Sequence, residues 1–75
     1  LMQKFYDTIQ DKYGNAIQGA SIIFRDHGTS NVSVMYEDDE LTEKMNPVIT
    51  DVNGFVEAML PNGKYDITIS YRGQS

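Results

Sequence analysis

The residues Lys64 to Tyr71 alternate strictly, with Tyr65, Ile67, Ile69 and Tyr71 on one face and Lys64, Asp66, Thr68 and Ser70 on the other. Successive side chains of an extended backbone point to opposite sides, so a period of two predicts a half-buried strand. The same period recurs upstream. Ala20, Ile22 and Phe24 alternate with Ser21 and Arg25, with Ile23 breaking the polar face. Val32, Val34 and Tyr36 alternate with Ser33 and Met35, and Val56, Ala58 and Leu60 with Phe55, Glu57 and Met59. Val48-Ile49-Thr50 is short and β-branched. Lys4 to Gln10 is β-prone but alternates poorly, which suits a bulge or an edge position.

Turn signals separate these runs. Tyr13-Gly14-Asn15, Asp51-Val52-Asn53-Gly54 and Pro61-Asn62-Gly63 supply residues that adopt positive φ angles, and Asn-Gly pairs read as hairpin turns. His27 to Asn31 is a polar loop. Six or seven short strands with turns about every ten residues predict an all-β chain, an antiparallel sandwich or barrel. Glu37 to Pro47 stands apart as a long acidic connection between sheets, with room for one helical turn capped by Thr42, and Asn46-Pro47 sets an extended exit.

Size limits what such a fold can hold. The chain has 75 residues, which reads as one module over residues 1–75. At this length folding removes only about 60% of the surface that the open chain exposes, so the core is thin. There is no Cys, hence no disulfide or thiolate zinc site to reinforce it. The beginning Leu1-Met2 and the linker-like Arg72-Gly73-Gln74-Ser75 suggest a piece of a longer polypeptide, with a processed small protein as the alternative. The formal net charge is -5, without the basic patch of a nucleic-acid binder. No run approaches the roughly 18–20 apolar residues of a membrane span.

Two stretches carry a resemblance. Asp11-Lys-Tyr-Gly14-Asn-Ala16-Ile17-Gln-Gly19-Ala20-Ser-Ile22 resembles the opening of carboxypeptidase-regulatory-like, prealbumin-like β-sandwich modules, with Ala16 where the family usually has Pro. Thr50-Asp51-Val-Asn53-Gly54 through Leu60-Pro61-Asn-Gly63-Lys-Tyr65-Asp-Ile67 is similar to a hairpin of the same family. Between them, Tyr36-Glu-Asp38-Asp39-Glu-Leu-Thr42 and Asn46-Pro47-Val48-Ile-Thr50-Asp51 resemble small β-sandwich modules of tailed-bacteriophage tail fibres, tail spikes and tail-tip proteins. Those modules often carry Gly where this chain has Glu40. The resemblance implies a small prealbumin-like or Ig-like sandwich that serves as a structural or adhesive module of the virion, often within trimeric assemblies. The favoured reading is a non-enzymatic structural module, with a homotrimer as one parent assembly. A host-surface glycan- or receptor-binding module is the first alternative, and an accessory domain of a secreted bacterial peptidase or outer-membrane protein the second.

The residues themselves offer little chemistry. Asp26-His27-Gly28-Thr29-Ser30 holds the residue types of a catalytic triad, but the side chains of adjacent residues diverge, so His27 reads as a solvated loop residue and no catalytic residue is expected. The exposed acidic loop Glu37, Asp38, Asp39, Glu40 and Glu43 lacks calcium-loop spacing, and Asp51-Val52-Asn53-Gly54 is only a fragment of it; no metal or cofactor is expected. The loop reads as charge that keeps a sheet edge from sticking. A related fold family makes a Lys–Asn isopeptide bond; Lys4 is placed for it, but no Asn follows Tyr65. Of the tyrosines, Tyr65 and Tyr71 read as core-facing, while Tyr6 and Tyr13 remain for a sugar-binding ledge. The stronger signal is apolar residues off the inward parity. If Val56, Ala58 and Leu60 face the core, Phe55 and Met59 face away, and Ile23 and Met35 are off parity too. These four are the candidate interface with sister chains or a neighbouring virion protein.

Overall fold

The structure, a computed structural model, describes residues 1–71. The expected linker at residues 72–75 lies outside them. Among the described residues there is no helix, and none long and apolar enough to cross a membrane. Seven strands form two antiparallel sheets: β1 (Met2–Thr8), β2 (Ser21–Asp26), β3 (Met35–Tyr36), β4 (Glu43–Lys44), β5 (Val48–Ile49), β6 (Phe55–Pro61) and β7 (Tyr65–Ser70). One sheet has the order β1-β6-β3-β4 and the other β5-β2-β7. The molecule is the small β-sandwich that the alternation predicts.

The chain changes sheet at every connection except β3 to β4. The Asn-Gly turns therefore do not close hairpins, as their sequence suggests: Asn53-Gly54 carries the chain from β5 to β6 and Asn62-Gly63 from β6 to β7, each time into the other sheet. The expected helical turn is also absent. Glu37 N–H donates to the Thr42 carbonyl at 2.8 Å, which closes a β3–β4 hairpin, and Glu43–Lys44 becomes a strand. Leu41 at φ 65° interrupts any right-handed run. The chain then crosses to β5 through a cis Asn46-Pro47 bond. As expected for its poor alternation, β1 is an edge strand; its register with β6 is continuous from Met2↔Pro61 to Thr8↔Phe55.

Ile22, Phe24, Met35, Val48, Val56, Ala58 and Leu60 form the core, with Phe5, Ile9 and Tyr65 packed against it. Phe5 meets Phe24 edge to face across the sheets, with ring centroids 4.9 Å apart. Polar pegs complete it. The Asn46 amide donates to the Phe24 and Ser33 carbonyls at 2.8 and 2.9 Å and accepts from Phe24 N–H at 3.2 Å. It thereby replaces a neighbouring strand where β5 has ended. Buried Thr50 accepts from Ala20 N–H at 2.8 Å and donates to the Ile17 carbonyl at 2.6 Å. These two residues of the Asn46–Asp51 motif hold strands and loops together by taking up backbone groups that burial would otherwise leave unpaired.

The parity of β3 is the reverse of the expected one. Met35 is fully buried, while Val32 and Val34 are more than half exposed. A strand of only two residues does not extend back to Val32, so the alternation of residues 32–36 does not report on one continuous face. Met35 is thus a core residue and not part of an exposed interface.

Candidate functional site

Cross-strand pairing determines which residues share a surface, because partners in an antiparallel pair project to the same side. The row Lys4, Met59, Tyr36 and Glu43 runs across all four strands of the larger sheet on its outer face. Thr8 with Phe55, Tyr6 with Glu57 and Met2 with Pro61 occupy the same face. Phe55 and Met59 are both half-buried there. Ile23 pairs with Thr68 on the outer face of the other sheet, where Ile49 is its apolar company. The four residues expected to form one interface are therefore divided: Phe55 and Met59 share a face, Ile23 lies on the opposite side of the sandwich, and Met35 is in the core.

Around Met59 the structure assembles more than the sequence announced. Leu1, Met2, Asp39, Leu41, Met59 and Pro61 line an open, mostly apolar groove of about 550 Å³. Beside it, Lys4, Glu37, Lys44, Glu57, Ala58 and Met59 line a polar cavity of about 170 Å³ in which the charges balance. Lys4 Nζ lies 3.3 Å from Glu57 Oε2, with both side chains about half exposed, so the pair orders the face more than it stabilises the fold.

Leu41 reaches the groove through a loop design that the chain uses three times. Asp11 Oδ1 accepts from Tyr13 N–H at 2.8 Å and Asn15 N–H at 3.0 Å. Asp51 Oδ1 accepts from Asn53 N–H at 2.8 Å and Phe55 N–H at 3.0 Å. Asp38 Oδ1 accepts from Glu40 N–H at 2.9 Å and Thr42 N–H at 3.2 Å. In each loop an aspartate takes the N–H groups two and four residues on, an Asx turn extended by one bond. The residue three positions on has positive φ in all three: Gly14 at 87°, Gly54 at 74° and Leu41 at 65°. Glycine adopts that conformation freely, whereas a side-chain-bearing residue is strained by about 1–2 kcal/mol. The third loop keeps an apolar side chain there, 60% exposed, in the position its sister loops give to glycine. A comparison of D-x-x-G with D-x-x-L in the sequence was the available signal for this site.

The Asp38 and Asp11 carboxylates have structural partners. Hydrogen bonds from the Thr42 backbone and then its hydroxyl hold the Asp38 carboxyl below the usual carboxylate range, and the Asn15 backbone does the same for Asp11. Among the described residues no group of three His, Asp or Glu side chains converges as metal ligands would. Glu37, Asp39, Glu40 and Glu43 surround Asp38 as an exposed acidic loop with Asp39 at the groove.

The triad-like residues disperse. The Asp26 carboxylate accepts from the Ser33 hydroxyl at 2.6 Å, while His27 Nδ1 lies 2.8 Å from Asp66 Oδ1 on β7. Asp66 Oδ2 also accepts from Gly28 N–H at 2.9 Å. That backbone bond, followed by His27, holds the Asp66 carboxyl below its ordinary value. His27 thus ties the loop after β2 to β7. Tyr6 and Tyr13 are well exposed, with Lys12 Nζ 5.3 Å from the centroid of the Tyr13 ring. Comparisons with protein-family models, with curated proteins and with solved structures gave no match to this chain.

Proposed function

We propose that this chain is a non-enzymatic structural module of a phage tail protein, in a fibre, spike or tail tip. It attaches or spaces neighbouring chains of the virion, with a homotrimer as the expected parent assembly. The observation that carries this reading is the groove around Met59. Its apolar lining from Met2, Leu41 and Pro61 meets Met59 and, through the Met59–Tyr36 pair, Tyr36, while Phe55 lies on the same face beyond the Lys4–Glu57 pair. Leu41 is held at the groove in a strained backbone conformation. Strain retained at an exposed apolar residue points to a surface kept for contact, since strained backbone clusters at functional positions. The motif residues Asn46, Thr50 and Asp51 support the reading through their resemblance to phage tail modules.

In this mechanism the sandwich is a rigid body. The acidic loop rims the groove, and the partner covers the apolar face. Light scattering at high concentration tests it: the chain self-associates or is poorly soluble, and Phe55→Ser reverses this. A chain that stays monomeric and is unchanged by Phe55→Ser removes the reading. A glycan array separates it from host recognition, because a spacer binds no glycan. A zinc-peptidase or transporter domain adjoining this module in its parent polypeptide would favour an accessory domain instead.

A further inference from the structure

The chain contains two Asn-Gly pairs, Asn53-Gly54 and Asn62-Gly63, which are chemically equivalent in sequence. We propose that Asn62 is a site of spontaneous deamidation in the folded protein and that the fold protects Asn53. In this reaction the backbone nitrogen of the following glycine attacks the Asn Cγ. The N–Cγ bond closes a succinimide, the Cγ–Nδ2 bond breaks, and Nδ2 leaves as ammonia with the proton from the glycine amide. Water then opens the ring at either carbonyl, leaving aspartate or isoaspartate in place of asparagine.

The attacking nitrogen must be free to turn towards its own side chain, and the two pairs differ in this respect. Gly54 N–H donates to the Asp51 carbonyl at 2.9 Å, and the flanking Asn53 and Phe55 N–H groups are bound to the Asp51 carboxylate. Gly54 is buried, and a Cβ built on it would collide with the Ile9 carbonyl. That peptide cannot rotate without opening the β5–β6 connection. Asn62 and Gly63 are both exposed. Asn62 N–H donates to the Leu1 carbonyl at 2.9 Å, and the Gly63 carbonyl accepts from Gln3 Nε2 at 3.3 Å. These bonds hold the turn but leave the reacting atoms alone: among the described residues the Gly63 N–H has no hydrogen-bond partner. Reaction would place a negative charge beside Lys64, and the isoaspartate product would add a methylene to the backbone of the turn that leads into β7.

Peptide mass mapping of the folded protein during incubation at mildly alkaline pH tests the assignment. The Asn62 peptide becomes one mass unit heavier, as a mixture of aspartate and isoaspartate, at least about fivefold faster than the Asn53 peptide, the ratio that one closed backbone hydrogen bond supports. In concentrated urea the two rates converge. Gly63→Ala slows the Asn62 reaction and leaves Asn53 unchanged; the substitution is tolerated, because the new Cβ would have its nearest neighbour, the Tyr65 hydroxyl, at 3.9 Å. Equal rates in the folded protein, a faster Asn53, no reaction at Asn62, or a ratio that persists in urea would each overturn the proposal.

Discussion

Strands β6 and β7 have the same alternating pattern and different fates. Val56, Ala58 and Leu60 on β6 are at most 3% exposed, whereas Ile67 and Ile69 on β7 are 44% and 43% exposed. Yet Ile67 and Ile69 are on the inward side, for they pair with core residues Phe24 and Ile22. The difference lies in the neighbours. β6 has β1 on one side and β3 on the other, while β7 has β2 alone among the described residues. Alternation identifies the face of a strand, but flanking strands determine how dry that face becomes. The edges also differ. β4 and β5 are two residues long and β1 carries the Lys4–Glu57 pair, whereas β7 is a regular six-residue edge whose one charged residue, Asp66, is engaged by His27 and Gly28.

Truncation of matched residues on β6 and β7 gives the largest expected difference. Leu60→Ala is expected to destabilise the fold by about 3 kcal/mol, near the lower half of the range for buried Leu truncations, and Ile69→Ala by about 1 kcal/mol because much of that side chain already meets water. Urea unfolding midpoints check both, and equal losses would mean that β7 is as enclosed as β6. Asn46→Ala comes next, at about 2 kcal/mol, since it strips the Phe24 backbone of the surrogate strand that flanks β2. A loss under about 0.5 kcal/mol would show that water replaces the amide there.

Leu41→Gly has the opposite sign. Relief of the left-handed strain at about 1–2 kcal/mol outweighs the greater freedom of glycine in the unfolded chain, at about 0.5–1 kcal/mol. The variant should gain about 0.5–1 kcal/mol of stability while self-association weakens. A less stable Leu41→Gly would mean that the leucine side chain stabilises its own loop. The smallest effect is acid sensitivity. Asp11, Asp38 and Asp66 all have carboxyls lowered in the folded state. Their stabilisation is present above the ordinary carboxylate pKa and disappears as pH falls through the lowered folded values. Thermal melts between about pH 5 and pH 2 should show this decline, and Asp66→Asn should flatten it slightly by removing one of the contributors.

The strands β2, β6 and β7 were legible because each repeats a period of two over six or seven residues. The two-residue strands were not, as a pair of residues has no period. Met35 shows the result: its apparent parity came from Val32 and Val34, which lie outside β3. The groove was half legible. Parity places Phe55 and Met59 on an outer face, but Met2, Leu41 and Pro61 join Met59 only through the β1–β6 pairing and the return of the β3–β4 loop.

Local period, turn residues and composition suffice for an all-β chain, its longer strands, the places where it turns and the scarcity of reactive side chains, because each is a property of neighbouring residues or of residue counts. The tertiary structure alone decided which alternating strand is central, which of two Asn-Gly turns is locked, and that Ile23 and Phe55 lie on opposite sides of the sandwich. These are properties of pairing between residues far apart in the chain, and no local pattern encodes the partner.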